Sequence, residues 1–173
     1  MSYAEGAGEL FFAALAEPEI SVEHLLRDLL PDLLGYFLNR LDDHEDAADA
    51  VADTLLVLWR KEKSIPTHRE GARRYSFGVA RKVLQSTRRG RQRRSSLAHQ
   101  LRAAVVEHTV ASPLIDLELN VALESLGEKD RELVLLVAWE GFSVADAGRV
   151  LGLSQVAARA RYSRARSRLR AEL

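Results

Sequence analysis

With 173 residues, 47% of them hydrophobic, the chain can bury a core as one domain or two small ones. Having no cysteine, it can form neither disulfides nor thiolate metal sites. Twenty-five bases balance 25 acids, and no apolar run approaches the roughly 18 residues of a membrane span. The opening MSYAEGAGEL lacks the basic stretch of a secretory leader, so a reducing, cytoplasmic setting is expected.

The neutral total conceals four blocks. Residues 1–60 hold 13 acids and 3 bases, and residues 61–94 hold 2 acids and 12 bases. Residues 95–141 hold 8 acids and 3 bases, and residues 142–173 hold 2 acids and 7 bases. Such asymmetry points to more than one kind of partner. The basic blocks suit a phosphate backbone.

Residues 1–20 read as an extension with one short helical stretch, Leu10, Phe11, Phe12 and Leu15. From Val22 to Leu41 leucines recur at helical spacing. Pro31 has no N–H for the carbonyl of Arg27, which predicts a break or kink. Asp42 and Asp43 supply cap residues for a helix running to about Arg60. Its buried stripe is Ala47, Val51, Thr54, Leu55 and Leu58. Asp46, Asp49 and Asp53 line another face. Like charges at that spacing weaken an isolated helix, so the ridge is either a solvated face or a dock for a basic partner.

Ser64-Ile65-Pro66-Thr67 is a loop, and a second long helix follows from about Glu70 to Arg89. Ala72, Tyr75, Ser76, Val79, Ala80 and Val83 are its expected core face. Gly78 costs about 1 kcal/mol inside a helix, which suggests close packing there. Arg73, Arg74, Arg81, Lys82, Arg88 and Arg89 gather positive charge along the helix. Tyr75 and Phe77 have two readings, core packing or stacking on unpaired bases. Residues 95–115 break the pattern and read as a flexible linker, with a transient helix between Leu97 and Val106.

Helices resume at Asp116, with Leu119, Ala122, Leu123 and Leu126 as one stripe. Gly127 marks a turn, and Leu133, Leu136, Val137 and Trp139 belong to the next helix, ending at Gly141. Ser143 and Asp146 then form an S-x-x-D capping box ahead of Val144, Ala147 and Leu151. Gly152 stands where a helix end needs a left-handed residue, and Ser154 can cap the next helix. On that last helix Ala158, Tyr162, Ala165 and Leu169 share one face and six arginines take the rest. This is the layout of a helix-turn-helix, whose second helix enters the DNA major groove. A solvated arginine-rich helix would account for the arginines but not for the start, turn and restart around them.

The order of parts resembles the extracytoplasmic-function sigma factors of bacterial RNA polymerase, from about Val22 to Leu173. Asp46 to Trp59 falls in register with the family's D-A-E-D-L-V-Q-E-x-F-L-x-x-W, with Ala52 in place of glutamine. Tyr75 to Lys82 matches W-L-[FY]-x-[IV]-A-R-N, with Tyr75 for tryptophan and Lys82 for asparagine. Ser154 to Arg166 keeps the scaffold of S-x-G-T-V-K-S-R-L-x-R-A-R but replaces G-T-V-K with Val156-Ala157-Ala158-Arg159. Leu126 to Leu135 follows the region-four pattern without its proline.

The resemblance implies an all-α protein of two small helical domains. Region two would span 21–94 and region four 116–173, after an extension at 1–20 and a linker at 95–115. Asp46, Asp49 and Asp53 would dock on core RNA polymerase. The loop Lys61 to Arg69 would hold a flipped base, and Tyr75, Arg81, Lys82, Gln85, Ser86, Arg88 and Arg89 would take minus-ten promoter DNA. Ser154, Gln155, Ala157, Arg159, Arg161 and Arg164 would take the minus-thirty-five element. An anti-sigma factor is the further partner implied. No cofactor, metal or catalytic residue is expected: the five histidines form no ligand spacing and there is no glycine-rich phosphate loop. Two other readings remain open. One is a stand-alone helix-turn-helix regulator that binds DNA as a dimer. The other is an adaptor that uses its N-terminal half only to bind protein.

Overall fold

The computed structural model describes residues 21–101 and 117–173. The expected helix at Leu10 to Leu15 and the linker beyond Leu101 lie outside them. Among the described residues seven α-helices follow one another: α1 (Val22–Leu38), α2 (His44–Arg60), α3 (Arg69–Leu101), α4 (Leu117–Ser125), α5 (Glu128–Ala138), α6 (Val144–Val150) and α7 (Gln155–Glu172). A 3-10 turn, Glu62–Ser64, sits between α2 and α3. All regular elements among the described residues are helical. None of these helices is long and apolar enough to cross a membrane.

In the first half, α1, α2 and α3 pack on one another. α1 buries Leu25, Leu29, Leu33, Tyr36 and Phe37. It passes Pro31 without a break. Arg27 and Pro31 both lie on the solvent side, so water can take the carbonyl that proline cannot serve, while the opposite face stays packed in the core. Asp43 alone caps α2, accepting from the backbone N–H of Glu45 at 2.7 Å and of Asp46 at 3.3 Å. Asp42 instead lies 3.7 Å from Arg91. α2 buries Ala47, Ala50, Val51, Thr54 and Leu58.

α3 runs on to Leu101, well beyond the expected end near Arg89. Its core face carries Ala72, Ser76, Phe77, Ala80 and Leu84. Phe77 is fully buried, which leaves no open ring for base stacking. Its ring meets Tyr36 edge-on at 5.5 Å and Phe142 at 5.1 Å. Each such pair adds about 0.5–1.5 kcal/mol beyond the area buried. A Cβ on Gly78 would meet nothing within 4 Å, so that glycine does not serve close packing.

The second half folds around the arginine-rich helix. α6 and α5 both pack on α7. Leu123, Leu126, Val134, Leu135 and Ala165 form a small core there, joined by Tyr162 and Leu169. Leu133, Leu136, Phe142, Ala147, Val150 and Leu151 face the other way and merge with the core of the first half. Trp139, expected on α5, instead caps its end just past Ala138 and is 40% exposed. The two halves thus share one hydrophobic core.

Candidate nucleic-acid interface

The helix-turn-helix is set by local rules. Ser143 Oγ accepts from the Asp146 N–H at 3.1 Å and donates to the Asp146 carboxylate at 2.6 Å. That carboxylate also takes Arg149 at 2.8 Å and Arg74 of α3 at 3.0 Å. It faces the serine hydroxyl rather than the Ser143 N–H of a reciprocal capping box. The Ser143 hydroxyl, then Arg149 and Arg74, hold Asp146 below the usual aspartate range.

Gly152 ends α6 with φ of +68°, a conformation that L side chains rarely adopt. The Leu153 N–H closes the turn on the Gly148 carbonyl at 2.8 Å. A Cβ on Gly148 would stand 2.6 Å from the Ala158 Cβ, so α6 and α7 touch where both residues are small. Ser154 Oγ accepts from the Ala157 N–H at 3.2 Å and caps α7.

α7 buries Ala158 and Ala165 and keeps Tyr162 and Leu169 partly covered. Ser154, Gln155, Arg159 and Arg164 are exposed, and Ala157 and Arg161 are half-buried. Val156 is 79% exposed at the helix start. Arg161 is not open in the way Arg159 is: it pairs with Asp130 of α5 at 2.7 Å. A groove of about 210 Å³ runs from Val144 past Arg159 and Arg166 to Arg170. Guanidinium groups along such a groove suit phosphate oxygens.

On α3, Tyr75, Lys82, Ser86 and Arg89 fall at steps of seven, four and three and share one face. Lys82, Ser86 and Arg89 are exposed, while Tyr75, Arg81, Gln85 and Arg88 are half-buried. Arg88 turns aside: it donates to the Arg40 carbonyl at 3.2 Å and lies 3.6 Å from Glu128. On α2, Asp49 and Asp53 are exposed. Asp46 is half-buried, 3.3 Å from Arg91 Nε. Leu56, 52% exposed, follows Asp49 and Asp53 at helical spacing and extends their acidic face with an apolar end.

The sequence reading missed the polar cluster between the halves. Arg40 Nε donates to Glu132 at 3.0 Å, and its Nη1 donates to Glu140 at 2.8 Å and to the Tyr36 carbonyl at 2.9 Å. The Tyr36 hydroxyl donates to Glu132 at 2.9 Å. Burial tends to lower the Arg40 pKa, but Glu132, Tyr36 and Glu140 outweigh it and leave it raised. Burial pushes Glu140 upward against the pull of Arg40. Burial and the Glu132 charge push the Tyr36 hydroxyl well up. The one available signal was a lone arginine, Arg40, at the end of a leucine-rich helix.

Known proteins now bear on this geometry. Residues 116–169 match the family model described as Sigma-70, region 4, which takes in α4 to most of α7. Over 134 residues the chain is 32% identical to the ECF RNA polymerase sigma factor SigF of Caulobacter vibrioides, covering 77% of this chain and 74% of that protein. The chain belongs to the ECF sigma factors. This sigma factor also superposes on the sigma factor RpoE from Bartonella quintana, solved with the anti-sigma factor NepR. The TM-score is 0.64 at 28% identity, over 87% of this chain and 94% of that one. CnrH, solved with the cytosolic domain of CnrY, shares the fold at a TM-score of 0.56 and 23% identity, over 87% and 92%.

Proposed function

We propose that this sigma factor binds core RNA polymerase and directs promoter-specific initiation in the cytoplasm. The acidic face of α2, Asp46, Asp49 and Asp53 with Leu56, is the dock. The α3 positions Tyr75, Arg81, Lys82, Gln85, Ser86, Arg88 and Arg89 take minus-ten DNA. The loop 61–69 holds a flipped base, at a few kcal/mol of unstacking. The first turns of α7, from Ser154 to Arg164, enter the minus-thirty-five major groove. The chemistry of RNA synthesis belongs to the polymerase.

The observation that carries this reading is the start of α7. Its helix-turn-helix is fixed by two serine caps and a glycine turn, yet Gln155 and Arg159 stay exposed. A scaffold rigid behind and open in front is what groove reading requires. Because RpoE was solved with an anti-sigma factor, a protein of that class is proposed as a further partner.

The test is run-off transcription from a promoter library with sigma-free core polymerase. The chain should yield promoter-dependent transcripts, and Asp49→Arg/Asp53→Arg should yield none while remaining folded. Tight duplex binding without any transcript would sink the reading.

A further inference from the structure

A groove of about 410 Å³ opens where the start of α1 meets the turn between α2 and α3. Val22 and Leu25 line it from α1, and Lys63, Ile65, Pro66 and Thr67 from the turn. Leu25 is buried, but Val22, Ile65 and Pro66 are only half-covered. An apolar cavity of about 150 Å³ takes one benzene ring, so this volume has room for two aromatic side chains. The promoter reading uses the turn and leaves the α1 side of the groove without a task.

Two features of the chain point to what covers it. The first is position. Val22 opens α1 and lines the groove, so residues 1–20 join the fold at its edge. Their apolar cluster, Leu10, Phe11, Phe12 and Leu15, ends within about 25 Å of extended chain from Val22. A tether that short holds the cluster at an effective concentration of about 1 mM. The second feature is charge. Residues 1–20 carry Glu5, Glu9, Glu17 and Glu19 and no base, while the turn carries Lys61, Lys63 and Arg69 against Glu62. We propose that the segment Leu10 to Leu15 docks in this groove and competes with an unpaired base for the turn 61–69. The competition rests on the reading of that turn as the holder of a flipped base; the docking does not. Docked, the segment covers Ile65 to Thr67, and its glutamates meet the lysines that phosphate would otherwise meet. An intrinsic Kd on the order of 0.1 mM keeps it about nine-tenths docked and lowers the apparent affinity for single-stranded DNA about tenfold.

The native chain has no cysteine, so Thr67→Cys places a single thiol in the groove of the full-length protein. Ala171→Cys, exposed at the C-terminal end of α7, places one elsewhere as the control. Each is compared with and without Leu10→Ser/Phe11→Ser/Phe12→Ser, which removes the apolar cluster without changing the charge. The thiol of Thr67→Cys should react with an aromatic disulfide reagent about tenfold faster once the cluster is gone. The factor should be the same at low and high protein concentration, and Ala171→Cys should keep its rate. Equal rates at Thr67→Cys overturn the docking. Protection that grows with concentration also overturns it, since the occupant is then a second copy, as does faster reaction at both positions, which is general loosening. In the cysteine-free chain the serine variant should bind a labelled single-stranded DNA oligonucleotide about tenfold tighter than the parent. Unchanged affinity overturns the competition. Lys61→Ala/Lys63→Ala in the same binding assay judges the turn separately: lost binding there leaves the promoter reading standing even where the docking falls. Circular dichroism monitors folding. Should the triple serine variant unfold, Phe12→Ser alone replaces it with the same outcomes.

Discussion

Arg40 and Glu132, 92 residues apart in the chain, meet at 3.0 Å across the two halves of the molecule with almost no solvent access. Glu140 shares the same guanidinium. Removing the arginine therefore leaves two buried carboxylates facing each other. Arg40→Met should cost about 3–5 kcal/mol of stability, the range for breaking a buried ion pair from one side. Adding Glu132→Leu and Glu140→Leu should recover much of it, since an apolar replacement of the whole cluster removes the desolvation penalty. Urea unfolding of the single and triple variants measures both. A single variant as stable as the parent would show that the cluster is not closed in solution.

Two glycines should respond in opposite directions. At Gly148 an added Cβ would stand 2.6 Å from that of Ala158, with both atoms fixed to helix backbones. Gly148→Ala should cost about 1–3 kcal/mol by overpacking. At Gly78, inside α3, an added Cβ meets nothing. Gly78→Ala should stabilise by about 0.5–1 kcal/mol through helix propensity alone. Thermal melting separates them, and destabilisation at both sites would contradict the open space beside Gly78.

These glycines show what the sequence could and could not reveal. Gly152, Ser143 and Ser154 were legible because caps and turns depend on a few neighbouring residues. Gly148 and Gly78 look alike as letters in a helix, and only the packing of α6 on α7 tells them apart. Pro31 read as a break or kink because the rule is local, and the helix continues past it with five side chains buried on the far face of α1. Phe77 and Tyr75 were equal candidates for stacking until the shared core claimed Phe77. The exposed acids of α2 and the exposed start of α7 followed from periodicity. The ties from Arg40 to Glu132 and Glu140 did not, because charge blocks show that acids and bases are present and not which of them meet.

Asp146 gives a pH signature with a definite sign. Its carboxyl is held below the ordinary aspartate value, first by the Ser143 hydroxyl and then by Arg149 and Arg74. A lowered native pKa means stability that is present above the ordinary aspartate range and lost as pH falls through the lowered value. Asp146→Asn should therefore melt earlier than the parent at neutral pH, and the gap should close on acidification below pH ~4. Melting temperatures of both proteins from neutral to acid pH test this, and a constant gap would show that the carboxylate charge is not the source.

The arginines of α7 divide into two kinds. Arg159 is exposed near the start of the helix, while Arg161 is half-buried and bound to Asp130 at 2.7 Å. If α7 lies in the groove as proposed, Arg159→Ala should cost about 1–3 kcal/mol of binding to a minus-thirty-five duplex and relax one base position. A uniform loss across sequences, with a shallower salt dependence, would instead mark Arg159 as a phosphate contact. Arg161→Ala should act mainly on stability, because it leaves Asp130 without its cation and loosens α5 from α7. Binding to a panel of single-base duplex variants, run beside urea unfolding, assigns each arginine to one kind.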